Sequence, residues 1–193
     1  MGPKLPSDSR EKILQAAFAV LSREGYENTS IHDIAEEAGV AQGLVHYYFK
    51  SKQKLVLAVL FEVCQKMNVY TAEGTAGALA AFENFKVLLR TQPDAHSLYI
   101  QLMGVGLHDK EIGAGIRDNI RMERGHVEDL ARQVLAERET DPSPSRAIAS
   151  VVWAGVIGIM VQKSIDPEFN ADEAVDALAA MALSAVYPSG QRA

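Results

Sequence analysis

The chain has 193 residues, of which 48% are hydrophobic and 23% charged, the profile of a globular protein able to build a core without staples. Its single cysteine, Cys64, excludes a disulfide framework within one chain and fits a reducing compartment. The net charge of −6 speaks mildly against a nucleic-acid partner. Distribution counts for more than the sum, and from Val40 to Leu60 the charged residues are Lys50, Lys52 and Lys54, with no acid.

Almost everything reads as helix, so the expected fold class is all-α. Met1 to Asp8 is short and polar, without the apolar core of a signal peptide. A first helix starts near Ser9. Ile13, Leu14, Ala17, Phe18 and Leu21 give it one apolar stripe, and Gly25 ends it as a C-terminal cap. Ser30-Ile31-His32-Asp33 has the form of a capping box opening a second helix, with Ile34, Ala35 and Ala38 on its inner face. Gly39 supplies a tight turn, where a positive φ costs glycine little. A third helix runs from about Gln42 to Phe49, and a fourth from near Lys52 to about Tyr70. Longer helices follow at about 76–91, 93–107, 110–138, 144–165 and 170–186, with breaks at Gly74, Pro93, the Asp141–Pro144 segment and Pro167. The most apolar stretch, Ala147 to Val161, is too short to span a bilayer and is closed by Lys163 and Asp166. The expectation is a cytoplasmic protein with no membrane partner.

Residues 31 to 49 have helix-turn-helix form, which places the second helix in the major groove with its N-terminal residues at the base edges. Val40, Val45 and Phe49 are spaced to pack inward, leaving Gln42, Gly43, Leu44, His46 and Tyr47 outside. Gln42 can contact adenine bidentately and Leu44 can meet a thymine methyl. Gly43 permits close backbone approach. His46, Tyr47, Tyr48 and Lys52 suit phosphate contacts, which position without reading sequence. Tyr48 has a second reading as core, and His32 one as a solvated helix residue.

The run Thr29-Ser30-Ile31-His32-Asp33-Ile34-Ala35-Glu36-Glu37-Ala38-Gly39-Val40, then Gly43, then Tyr47-Tyr48-Phe49-Lys50-Ser51-Lys52 and Leu55, resembles the signature of TetR-family repressors. Ile13 to Ala17 and Gly25-Tyr26 fit the same pattern. The resemblance covers about the first 60 residues. It implies a DNA-binding domain at 1–52 and a helical effector-binding and dimerisation domain at 53–193. It also implies a homodimer on palindromic double-stranded operator DNA, released by a small-molecule effector. Ser30 and Lys52 would hold phosphates and His32 would reach a base or a phosphate. Gln42, Gly43, Leu44 and His46 would face the groove, and Tyr47 and Tyr48 the backbone. The fourth helix, entering the body near Phe61, would be the lever. Two residues depart from the pattern: Ala41 stands where the family has a capping Ser or Thr, and His46 where it has Tyr.

The effector side is read from residue types alone. Phe61, His96, Tyr99, Met103, Asn119, Met122 and Trp153 combine large apolar side chains with a few polar groups, as a small-molecule pocket does. An ordinary core contains the same mixture. Trp153 marks either a pocket wall or a dimer anchor, and the small residues Ala154, Gly155 and Gly158 beside it permit close helix approach. The family's last two helices, here 144–165 and 170–186, usually form a four-helix bundle with their copies. The five histidines are scattered, so no metal or cofactor is expected, and no catalytic motif points to an enzyme. The alternative is a helical small-molecule-binding protein with no DNA role.

Overall fold

A computed structural model of the protein describes residues 6–67 and 72–184. Among these residues there are nine α-helices and no strand. They are α1 (Pro6–Asn28), α2 (Ile31–Glu37), α3 (Gln42–Phe49), α4 (Lys52–Met67), α5 (Gly74–Thr91), α6 (Pro93–Gly106), α7 (Lys110–Glu137), α8 (Ser145–Ile165) and α9 (Ala171–Ser184). The all-α expectation holds, and the breaks fall at the glycines and prolines that announced them. The expected ends of the fourth and last helices, near residues 70 and 186, lie outside the described residues.

Two compact units share the chain: residues 1–68 with 97–117, and residues 69–96 with 118–193. The expected functional division at residue 52 differs from this packing division, and the reason is α4. Its Leu55, Val56, Val59 and Leu60 are buried and it packs along α1, so all of α4 stays with the first unit.

In the first unit α1 buries Ile13, Leu14, Ala17, Val20 and Leu21 and contacts both α2 and α4. It breaks helical geometry at Gly25, where φ is 77°, a left-handed value that glycine adopts at little cost. The Thr29 hydroxyl then donates to the Gly25 carbonyl at 2.7 Å, satisfying a helix-end acceptor. Within residues 97–117, the backbones of Gly106 and Gly113 touch. A Cβ at Gly113 would lie 2.4 Å from the Gly106 carbonyl oxygen. Asp109 caps α7, its Oδ1 accepting from the backbone N–H of Glu111 (2.8 Å) and Ile112 (3.0 Å).

In the second unit α9 packs against α5 and α8. The buried Lys86 ammonium donates to Asp176 at 2.7 Å and lies 2.7 Å from Glu83; these partners hold its pKa above the ordinary lysine value. Arg90 reaches Asp172 at 2.5 Å, making a second tie between α5 and α9. The start of α5 is capped from α7: Gln133 accepts from the Gly74 N–H at 2.8 Å, and Glu137 accepts from the N–H and hydroxyl of Thr75 at 2.9 and 2.7 Å.

The helix α8 is long and apolar enough to cross a membrane by length and composition, and it outruns the 147–161 stretch that the sequence singled out as too short. Its apolar residues divide between two faces. Ala149, Val152, Ile159 and Met160 are buried, whereas Ala147, Val151, Ala154 and Ile165 are exposed.

Because a carbonyl oxygen cannot move aside as a side chain can, Gly113→Ala is expected to lower stability by roughly 1–3 kcal/mol, as overpacking does. Gly125→Ala, also within α7 but with nothing within 4 Å of a new Cβ, should raise it by about 0.5–1 kcal/mol. Thermal melts of the two variants check the contrast; equal effects would contradict the close approach.

Candidate nucleic-acid interface

The interface is built from two short helices whose inner faces are pinned. Ser30 caps α2: its hydroxyl accepts from the Asp33 N–H at 3.2 Å and donates to Asp33 Oδ2 at 2.7 Å, while Oδ2 also accepts from the Ser30 N–H at 2.8 Å. The reciprocal box expected from Ser30-x-x-Asp33 is therefore present. These hydrogen bonds, the Ser30 hydroxyl first, hold the Asp33 carboxyl below its ordinary pKa. Ile34 and Ala35 are buried beneath the box.

The turn passes through Gly39, with φ 64°, and α3 begins at Gln42 after an extended Ala41 that offers no side-chain cap. Val45 and Phe49 are buried, 0% and 5% exposed, and Val40 is half-buried. Helical geometry then turns Gln42, Gly43, His46 and Tyr47 outward, all exposed, with Leu44 and Tyr48 half-buried at the margins. Tyr47 is 68% exposed, and its ring packs edge-on to Tyr48 at 5.3 Å. Nothing lies within 4 Å of a Cβ added at Gly43, so the backbone there is open to close approach. His32 is exposed on α2.

Lys52 has a different setting from the one its sequence position suggests. Its ammonium donates to the backbone carbonyl of Tyr26 and sits 4.1 Å from the centroid of the Tyr26 ring. Burial pushes its pKa down. Ser30 is likewise engaged, its hydroxyl proton directed at Asp33. Lys50 and Lys54 are the exposed lysines of this stretch. Lys50 has φ 64°, which turns the chain out of α3 and brings its ammonium 5.4 Å from the Tyr47 ring centroid.

Sequence reasoning missed Arg10, whose guanidinium lies 5.5 Å from the Phe49 ring centroid and adds a cation beside α3. It also missed Arg23, which joins α1 to α2 by a 3.3 Å contact with Glu37. Both pairings connect residues far apart in sequence, and no local pattern announces them.

The seven effector candidates divide between the two units. Phe61, Tyr99 and Met103 belong to the first, where Phe61 is exposed, Met103 half-buried and Tyr99 buried. His96, Asn119, Met122 and Trp153 belong to the second, with His96 and Asn119 buried and the other two half-buried. The described residues contain no group of three or more His, Cys, Asp or Glu placed to hold a metal ion.

Residues 13–59 match the family model described as bacterial regulatory proteins, tetR family. Its N-terminal domain belongs to the TetR family. The chain is 39% identical, over 87 residues, to the HTH-type transcriptional regulator YvdT of Bacillus subtilis, a match covering 45% of this chain and 43% of that protein. The chain spans less than half of that relative's length. The HTH-type transcriptional regulator BetI of Vibrio atlanticus is 24% identical over 183 residues, 88% of each chain. The whole fold is similar to that of the regulator FadR from Bacillus subtilis, solved in complex with stearoyl-CoA, with a TM-score of 0.74 at 16% identity, covering 92% of this chain and 99% of that one.

Removing the cap of a TetR-type α2 should be felt directly. Ser30→Ala is expected to cost about 1 kcal/mol, read as a lowered melting temperature. The Asp33 pKa lies lower folded than unfolded, so the box is fully formed above the free carboxyl value of 3.8 and is lost as pH falls through the lower folded value. The gap between the two proteins should therefore be constant from pH 7 to pH 5 and close in stronger acid. A gap that widened on acidification would contradict the box.

Proposed function

We propose that the protein is a ligand-responsive transcription repressor that binds a palindromic operator as a homodimer and is released by a small-molecule effector. The observation that carries the reading is the division of α3: Val45 and Phe49 are buried while Gln42, Gly43, His46 and Tyr47 are exposed. That leaves a polar edge free to meet bases. Arg10, Lys50 and Lys54 supply cations for the phosphates around it.

The second copy is supported by α8 and α9. Ala147, Val151, Ala154 and Ile165 recur at helical spacing on the exposed side of α8, and Ala177 and Met181 on that of α9. Val151 is 69% and Met181 61% exposed. Mostly small apolar residues on two adjacent helices suit a four-helix interface with a copy of themselves, and two recognition helices then read two half-sites about one DNA turn apart. The apolar length of α8 is absorbed by this pairing without a membrane. Effector control is a population shift: a ligand that prefers the conformation with misplaced reading heads drains the DNA-bound state in proportion to that preference.

Selection of random duplexes by the purified protein tests the reading. A palindrome should be enriched. Gln42→Ala should relax one position in each half-site, an effect of about 1–3 kcal/mol for a bidentate contact. Lys54→Ala should weaken all sequences alike and reduce the salt slope by about one. Failure to enrich any duplex at low salt would leave a helical small-molecule-binding protein as the reading.

The interface has its own check. Val151→Glu places a charge in the centre of the exposed α8 stripe and should yield monomers by sedimentation, with operator affinity lowered at least tenfold, on the order of the 1.4 kcal/mol that one decade represents. A dimer that survives this change would move the interface elsewhere.

A further inference from the structure

The exposed edge of α3 carries one side chain of the type whose charge ordinarily changes near neutral pH. That residue is His46, and the neighbours that share its edge, Gln42 and Gly43, have no ionisable group. Residues four apart lie on the same side of a helix, so His46 stands directly beyond Gln42, about 6 Å farther along the axis at a rise of about 1.5 Å per residue. A reading helix turns its N-terminal residues to the base edges. Gln42 then takes the bases, and His46 lies toward the end at which the chain leaves α3.

That end is where the cations gather. The Lys50 ammonium lies 5.4 Å from the Tyr47 ring centroid and the Arg10 guanidinium 5.5 Å from that of Phe49. Lys54 is exposed in the first turn of α4. Exposed cations beside a reading helix mark the path of the phosphates. His46 therefore sits between the neutral residues turned to the bases and a cationic rim.

The helices packed against α3 are α2 and α4. The acids of α2 are Asp33, Glu36 and Glu37. Asp33 is held in the Ser30 box and Glu37 contacts Arg23 at 3.3 Å, which leaves Glu36 exposed. The first turns of α4 bring Lys52 and Lys54, and the nearest acid on that helix is Glu62. Among the described residues the His46 ring has no hydrogen bond and no ion pair, so no acid of the protein is matched to an imidazolium there. His32 differs, because its charge acts on the adjacent Asp33 carboxyl.

We infer that His46 is a proton-dependent phosphate contact, its imidazole taking a proton from solvent as the operator binds and donating, once charged, to a backbone phosphate in each half-site. This rests on the DNA-binding regulator reading and adds a pH response to it. A charge-assisted hydrogen bond to phosphate favours the protonated ring, so the complex holds more protons than the separate partners. The contact is fully present below the ordinary imidazole range and is lost as pH rises through the higher range of the bound ring. Operator occupancy at a fixed protein concentration then falls between pH 6 and pH 8.

Binding of the full-length protein to the selected duplex is measured at pH 6, 7 and 8, and across salt at pH 6 and 8. Affinity should be about tenfold or more tighter at pH 6 than at pH 8, with one ring titrating in each half-site. The salt slope should be steeper at pH 6 by about 1 to 2, at roughly 0.9 for each added phosphate contact. His46→Gln should remove both differences and His32→Gln should keep them. His46→Lys, charged at both pH values, should bind alike at both with the wild-type slope of pH 6. Calorimetry in two buffers of different ionisation enthalpy should show proton uptake by the wild type and none by His46→Gln. Affinity that does not change with pH, or a pH response that survives His46→Gln or disappears in His32→Gln, overturns the assignment and leaves the regulator standing. A changed base preference in His46→Gln with equal salt slopes at the two pH values assigns the ring to a base edge and also overturns it. If no duplex is bound at any of the three pH values, the DNA reading itself falls and takes the inference with it.

Discussion

Helices of seven or eight residues do not persist in water by themselves. The helices α2 and α3 are of this length, so they exist only because Ile34, Ala35, Val45 and Phe49 are buried against the rest of the first unit. That burial fixes the rotation of each helix about its own axis, and the rotation decides which side chains are presented outward. The exposed edge of α3 is therefore a consequence of its apolar anchors. With no side-chain cap at Ala41, α3 depends on that packing even more than α2 does.

Much of this was legible in the sequence, and for local reasons. The capping box, the left-handed glycines at 25 and 39 and the spacing of Val45 and Phe49 are short-range signals, each acting within a turn or two of helix. They were enough to place α2 and α3 and to separate the inner from the outer residues. The setting of Lys52 was not legible. Its partner, the Tyr26 carbonyl, lies 26 residues away, at a chain reversal that only the fold creates. Arg10 over Phe49 is hidden for the same reason. The extent of α4's attachment was also missed, because an apolar stripe shows that a helix is buried without showing against which neighbour.

The second unit resists reading for a different reason. Its helices α5, α8 and α9 carry apolar residues on more than one side, so periodicity does not separate core from contact surface. Trp153 illustrates this: the sequence left it as pocket wall or dimer anchor, and the structure buries its indole nitrogen while leaving the ring half-covered. What distinguishes candidates there is hydrogen-bond satisfaction, which exists only in three dimensions. Met122 and Asn119 look equally suitable as residue types, yet Asn119 alone of the two carries polar atoms that need partners.

The contact between Gly106 and Gly113 has an evolutionary consequence. A side chain at 113 would meet the carbonyl oxygen of residue 106, and every amino acid carries that oxygen. No replacement at 106 can therefore make room for a larger residue at 113, as a smaller neighbour would in an ordinary core pair. Among descendants of this sequence that keep the same helix crossing, position 113 should stay glycine without any correlated change at 106. It would then be a constraint that analysis of paired substitutions cannot detect, although the two backbones are in direct contact.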